Sequence, residues 1–176
     1  MNLPVTTGRT SAISVVKAEE GQYLTFTLDG NMHAIGIQHI KEILEYGGIT
    51  AVPMMPGFIR GVINLRGAVV PIVDLSARFG DRQSEVTKRS CIVIVEVFSG
   101  GSPQDIGVVV DTVSEVLKIR REDIEEAPAF GAQIRTDFIA GMGKTDGGFV
   151  IILNADTVLS VDELAMVSDA DKWLQD

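Results

Sequence analysis

Residues 58–75 read FIRGVINLRGAVVPIVDL, two apolar runs on either side of the dipeptide Arg66-Gly67. Val, Ile and Leu at this density favour strands, and a glycine in the short break permits the left-handed backbone of a tight turn. The stretch therefore predicts a β-hairpin with arms at 58–65 and 68–75 and its tip at Arg66-Gly67.

The same pattern returns later in the chain. Residues 58–61 (FIRG) recur as 138–141 (FIAG) at a shift of 80 positions, and residues 42–44 (EIL) recur as 115–117 (EVL) at a shift of 73. Val and Ile repeat in any β-rich sequence, but the matching glycine and glutamate positions go beyond that. Two shifts that differ by a short insertion or deletion predict a duplicated unit with one change of length.

Short runs of Val and Ile, separated by Gly, Pro or charged residues, continue from Tyr23 onward and predict a mainly β fold. Each unit holds about five short strands, the size of a small closed barrel. We therefore expect two five-stranded barrels, intertwined within residues 21–160, with units at approximately 21–82 and 88–160. Residues 37–46 predict one helical turn leading into a strand.

Both ends of the chain are expected to lie outside the barrels. Residues 1–20 are polar and weakly patterned, which predicts a flexible arm. Ser160-Val161-Asp162-Glu163 is a capping box, so a C-terminal helix is expected over 161–176.

Composition excludes several classes of protein. With 45% hydrophobic residues the chain is too apolar for disorder, and 15 basic against 24 acidic residues give a net charge of -9, which opposes binding to nucleic acid. No apolar window is long enough to span a membrane, and the N-terminus lacks the pattern of a signal peptide. We expect a cytoplasmic protein without direct membrane insertion.

Catalytic and metal-binding signals are weak. His33 and His39 are expected to be partly exposed strand residues without a role, and Cys91 opens an apolar strand that supplies no basic setting for a reactive thiol. Residues 141–145 (GMGKT) resemble the end of a phosphate loop but open no helix. We therefore expect no catalytic residue, no metal and no cofactor, and a surface suited to binding proteins.

Residues 58–75 closely resemble the signature of the CheW family of chemotaxis coupling proteins, and the agreement extends over roughly residues 20–165. The resemblance implies an adaptor with two SH3-like β-barrels. It also implies the partners: the family joins the cytoplasmic tips of methyl-accepting chemoreceptors to the regulatory domain of the histidine kinase CheA, in arrays beneath the inner membrane.

The resemblance also assigns roles to individual residues. The surface expected to bind the kinase contains Ile40, Ile43, Arg60 and Gly61. The positions expected to bind the receptor or to transfer its signal are Glu42, Arg66, Gly67 and Val116. A tip arginine presents a fork of five donors that suits carboxylates on an acidic helix. Plain core packing remains an alternative for Ile40 and Ile43, and a solubilising role for Arg66.

Two other functions remain open at this stage. One is a small enzyme on a paired-barrel scaffold, which requires a deep pocket with perturbed titratable groups. The other is a CheW-like adaptor in a sensory pathway other than chemotaxis. The sequence departs from the family pattern at Cys91 and at residues 99–104, where we expect a longer loop.

Overall fold

A computed structural model describes residues 21–79, 84–99, 101–126 and 138–159. Within these ranges the strands are β1 (Gln22–Leu28), β2 (Asn31–Gly36), β3 (Ile40–Glu45), β4 (Ile59–Leu65), β5 (Ala68–Asp74), β6 (Cys91–Ser99), β7 (Ser102–Val110), β8 (Thr112–Lys118), β9 (Ile124–Glu125), β10 (Ile139–Thr145) and β11 (Gly148–Leu153). The helices there are α1 (Leu75–Arg78), α2 (Ala155–Val158) and 3-10 turns at Ile37–His39 and Arg121–Asp123. None of these helices is long and apolar enough to cross a membrane. The expected arm and C-terminal helix lie outside the described residues.

The strands form two sheets, and each sheet draws strands from both halves of the sequence. Sheet I has the order β8-β1-β2-β11-β10-β9, and sheet II has the order β3-β6-β7-β5-β4. Neighbouring strands are antiparallel except for the parallel pairs β2–β11 and β5–β7. The mainly β fold is confirmed. The sheets do not coincide with the expected units at 21–82 and 88–160, because β3 pairs with β6 and β5 pairs with β7 across that division.

The strand registers confirm the duplication. In the parallel pair β5–β7 Ile72 lies opposite Gly107, and in β11–β2 Ile152 lies opposite Ala34. Ile152 lies 80 positions after Ile72, and Gly107 lies 73 positions after Ala34. The two parallel pairs are therefore related by the same two shifts that the sequence shows. A third shift of 69 relates β1 to β6, which share no identical residue at matched positions. This shift is seen only in the structure, because β1 pairs with β8 and β6 pairs with β3, and β3 and β8 are related by the shift of 73.

Three apolar clusters stabilise the fold. The largest lies between the sheets, and we call it the seam; its buried residues include Phe26, Ile35, Val95, Val108 and Leu153. A second cluster fills the concave side of sheet II, with Ile63, Val70, Ile72, Ile92, Ile94 and Val109. The third fills sheet I, with Ala34, Ile119, Val150 and Ile152. Each sheet therefore curls around its own core and shares the seam, as two small SH3-like barrels do when they are joined along one side.

Arg78 connects the two duplicated units within the seam. Its guanidinium carbon lies 5.0 Å from the ring centroid of Phe58 and 4.8 Å from that of Phe138. These two phenylalanines are counterparts at the shift of 80, and Arg78 Nε also donates to the carbonyl of its own counterpart, Val158, at 3.3 Å. One side chain thus packs against equivalent positions of both barrels, in the geometry of a cation–π contact.

Two local predictions have clear outcomes. The 3-10 turn Ile37–His39 leads directly into β3, as predicted. The expected loop at 99–104 is instead a tight hairpin, because β6 continues to Ser99 and β7 starts at Ser102. The duplicate hairpin of β1 and β2 is shorter and closes at Leu28 and Asn31. The extra residues lengthen a hairpin and add no irregular loop.

Candidate functional site

The hairpin tip forms where the sequence predicts it. Arg66 and Gly67 have φ angles of 52° and 89°, the left-handed conformations that a two-residue hairpin turn needs at both central positions. The Gly67 N–H donates to Asn64 Oδ1 at 2.8 Å, which holds the turn. The Arg66 side chain is 70% exposed.

Arg66 is paired with Glu42 on β3. The Arg66 guanidinium donates to the Glu42 carboxylate, and this hydrogen bond, followed by the charge of Glu42, raises the pKa of Arg66. The two residues come from β3 and from the tip after β4, which are opposite edges of sheet II. The pair therefore lies where the sheet curls into a barrel, and it brings three expected receptor-side residues together: Glu42, Arg66 and Gly67.

A second ion pair adjoins this one. Lys41, the residue before Glu42, places its Nζ 3.1 Å from the Asp105 carboxylate and 3.8 Å from that of Glu96. Asp105 also adds to the rise in the pKa of Arg66, as the smallest of its causes. The barrel end at β3 therefore presents both signs of charge, already paired within the chain.

Val116 lies apart from this group. It is on β8 of sheet I, opposite Leu24, and its side chain is 37% exposed. At the shift of 73 it is the counterpart of Ile43. The four expected receptor-side positions thus form one cluster of three and one residue at the equivalent edge of the other barrel.

The two isoleucines expected on the kinase side differ in burial. Ile40 is 6% exposed and belongs to the seam, where plain core packing accounts for it. Ile43 packs against the same core but is only partly buried. Of the two, Ile43 has surface available for a partner.

Arg60 takes part in a buried ion pair rather than in an open surface. Its Nε and Nη2 donate to Asp74 Oδ2 at 3.1 and 3.0 Å, and the side chains of Arg60 and Asp74 are 17% and 0% exposed. Arg60 also donates to the Ser84 carbonyl and lies 3.5 Å from the Tyr46 hydroxyl. Asp74 was not singled out as a site residue from the sequence, and the irregularity in the β4–β5 register between Ile59 and Gly61 contributes to its meeting Arg60.

Asp74 holds three other groups. It accepts hydrogen bonds from the Ser84 N–H at 2.8 Å and the Ser84 hydroxyl at 2.9 Å, and it caps α1 through the Ala77 N–H. In the duplicate unit Asn154 caps α2 in the same way, and Ala140 stands in place of Arg60. The charged pair is therefore peculiar to sheet II, where it holds the chain at Ser84.

Gly61 is required by close backbone packing. Its φ is +145°, and a Cβ there would lie 2.8 Å from the Thr50 carbonyl carbon and 2.9 Å from Ile49 Cγ2. Thr50 approaches because it exchanges two backbone hydrogen bonds with Val62, at 2.8 and 2.9 Å. A substitution at Gly61 therefore disturbs the edge of β4 before it affects any partner.

Burial shifts the pKa values of His33 and Cys91. His33, expected to be partly exposed, is 6% exposed and stacks between Phe26 and Phe79 in the seam; burial lowers its pKa. Burial, followed by the nearby Glu45, raises the pKa of the Cys91 thiol, which disfavours a nucleophilic thiolate. Among the described residues, no three His, Cys, Asp or Glu side chains are grouped to hold a metal ion.

Comparison with known proteins gives a consistent result. Residues 22–163 match the family model of the CheW-like domain. The chain is 32% identical to the chemotaxis protein CheW of Klebsiella aerogenes, over 86% of this chain and 89% of that protein, and 32% identical to that of Rhizobium meliloti, over 81% and 89%. The crystal structure of the scaffolding protein TtCheW from Thermoanaerobacter tengcongensis superposes with a TM-score of 0.71 at 32% identity, over 86% of this chain and 93% of that chain.

Proposed function

This chain belongs to the CheW family of chemotaxis scaffold proteins, and we propose that it couples the cytoplasmic tips of chemoreceptors to the regulatory domain of the histidine kinase CheA. The observation that carries the proposal is the match over residues 22–163 together with the exposed Arg66 tip, which lies within the family signature. Coupling by a scaffold needs binding surfaces and no reaction centre. We accordingly propose a non-enzymatic protein located in the cytoplasm at receptor arrays.

On the receptor side, we propose that Arg66 and Glu42 contact the receptor at the tip supported by Gly67. A guanidinium with five donors can bind a carboxylate of an acidic receptor helix while it keeps part of its pairing with Glu42. Val116 extends the proposed receptor side to the edge of sheet I.

On the kinase side, we propose that Ile43 contacts the regulatory domain and that three residues support that edge from within. Ile40 anchors β3 in the seam, Arg60 fixes the neighbouring segment, and Gly61 lets the backbone of β4 pack closely. The division follows from burial, since a residue that is almost wholly buried has no surface to offer a rigid partner.

The receptor side is tested by reversing one charge. Arg66→Glu in a reconstituted system of receptor, kinase and coupler should leave kinase binding intact and abolish receptor-dependent control of kinase activity. Lys88→Glu, the same reversal at another exposed residue, is the matched control and should behave like the parent. Parent-like receptor control with Arg66→Glu would contradict the assignment, and loss of kinase binding would move Arg66 to the other interface.

The kinase side is tested with a pair of counterparts. Ile43→Thr replaces an ethyl group by a hydroxyl and Val116→Thr replaces a methyl group by a hydroxyl, so both remove apolar surface from equivalent strands and keep a β-branched side chain. Ile43→Thr should weaken binding to the kinase regulatory domain by at least about fivefold, the effect of losing roughly one buried CH2 group, while Val116→Thr should not. Titration calorimetry on folded variants measures both, and equal effects would refute the division.

A further inference from the structure

A cavity of about 490 Å³ opens between the end of sheet I and residues 84–87. Its walls come from three places: the β1–β2 turn with Asp29, Asp111 between β7 and β8, and the pair Ser76 and Glu85 on α1 and the following segment. This volume is typical of a ligand pocket. None of the receptor-side or kinase-side residues lines it.

Three carboxylates, those of Asp29, Glu85 and Asp111, line the cavity. Asp111 Oδ2 accepts a hydrogen bond from the Asp29 N–H at 2.7 Å, but within the described ranges neither side chain pairs with a lysine or arginine, and the same holds for Glu85. Elsewhere in these ranges, Glu42 and Glu125 have basic partners, and unpaired acids such as Glu126 and Asp146 lie on exposed surface outside the cavity. The cavity is therefore a local concentration of unpaired negative charge.

A largely buried serine also lines the cavity. Ser76 is 5% exposed and lines the wall, and no described residue forms a hydrogen bond with its hydroxyl. Its neighbour Ser84 differs, because the Ser84 hydroxyl already donates to Asp74. The Ser76 hydroxyl is reached from the cavity, so it can accept a hydrogen bond from a ligand that supplies a donor there.

The duplicate unit lacks this arrangement. At the shifts that relate the strands, Asp29 corresponds to Phe98, Ser76 to Asp156 and Asp111 to Gln38. Asp156 there accepts a hydrogen bond from the Phe98 N–H at 3.4 Å, so its carboxylate is used within the chain. The acidic cavity is a feature of one end of the molecule and does not follow from the fold alone.

We propose that this cavity receives an arginine or lysine side chain of a protein partner of the scaffold, a proposal that rests on the coupling function given above. The carboxylates are not grouped closely enough for a metal ion, whereas a long basic side chain can reach several of them and still donate to Ser76. The net charge of -9 adds a long-range attraction for a basic partner.

The cavity itself is tested without any partner. Titration of the full chain with N-acetyl-arginine amide, followed by amide NMR shifts, should give saturable changes at Ser76, Glu85 and Asp111. In the double variant Glu85→Gln/Asp111→Asn the affinity should fall at least about fivefold, because two attractive charges are lost while Asn can still accept from the Asp29 N–H. No saturable change, or equal affinity in the variant, would overturn the proposal.

The partner is tested by affinity for the kinase regulatory domain and for a receptor cytoplasmic fragment. The double variant should bind one of them at least about fivefold more weakly, and Glu126→Gln/Asp146→Asn, the same charge change at exposed sites outside the cavity, should stay within about twofold. If the double variant binds both proteins with unchanged affinity, a protein side chain is not the occupant. The same conclusion follows if spermidine, a small polyamine, fills the cavity of the parent and the parent still binds both proteins with unchanged affinity. A parent that binds neither partner would contradict the proposed function instead, and the arginine titration separates the two cases.

Discussion

The buried pair of Arg60 and Asp74 allows a quantitative test, because the duplicate unit supplies the natural replacement, Ala140 with Asn154. Arg60→Ala leaves the fully buried Asp74 carboxylate without its counter-charge, a change that typically costs about 3 to 5 kcal/mol. Ser84 still donates two hydrogen bonds to that carboxylate, so we expect a loss of about 3 kcal/mol, at the lower end.

Asp74→Asn is the milder change. Asn can still cap α1, as Asn154 caps α2, and Arg60 keeps its contacts with Ser84 and Tyr46. We expect a loss of about 2 kcal/mol for the unpaired, largely buried guanidinium. The double variant reproduces the arrangement of the other barrel and should lose about 3 kcal/mol, which leaves an interaction energy of about 2 kcal/mol between the two residues.

Urea unfolding followed by circular dichroism measures all four proteins at pH 7, and an unchanged slope against urea confirms that the transitions are comparable. A double variant whose loss equals the two single losses added together would refute the reasoning. In that case Arg60 and Asp74 would contribute independently, and the pair could not be what fixes the segment at Ser84.

Three further outcomes follow from the same structure. Gly61→Ala should destabilise the chain by more than about 2 kcal/mol because its Cβ meets the Thr50 carbonyl, whereas Gly67→Ala, also at positive φ but in open space, should cost only about 1 kcal/mol; urea midpoints measure both, and equal costs would show that packing at Gly61 is irrelevant. Burial lowers the pKa of His33 below 6.5, so the stability that the neutral imidazole contributes is present above pH 6.5 and is lost as the pH falls toward the folded-state pKa. Between pH 7.5 and 5.5, His33→Phe should therefore lose less stability than the parent. Parallel pH profiles of unfolding free energy would contradict this. The fragment 1–82 cannot complete either sheet and should be aggregated or molten, so a dispersed amide spectrum from it would refute the exchange of strands.

Much of the candidate site could be predicted from the sequence because its geometry is local. The tip at Arg66-Gly67 depends on a two-residue turn between alternating strands, and such turns are specified by the residues within them. The pairing of Arg66 with Glu42, by contrast, joins opposite edges of sheet II and depends on how the sheet curls. The burial of Ile40 depends in the same way on the seam, to which both sheets contribute.

The amino-acid sequence by itself determined the hairpins, the turns between them, two of the three shifts of the duplication and the family. These are properties of short segments and of residue identity. Only the tertiary structure decided which strands the duplicated units exchange, that β1 corresponds to β6, and that Arg60 is paired inside the chain. The physical reason is that strands pair through backbone groups common to all residues, so partners far apart in sequence need share no side chain and leave no pattern to find.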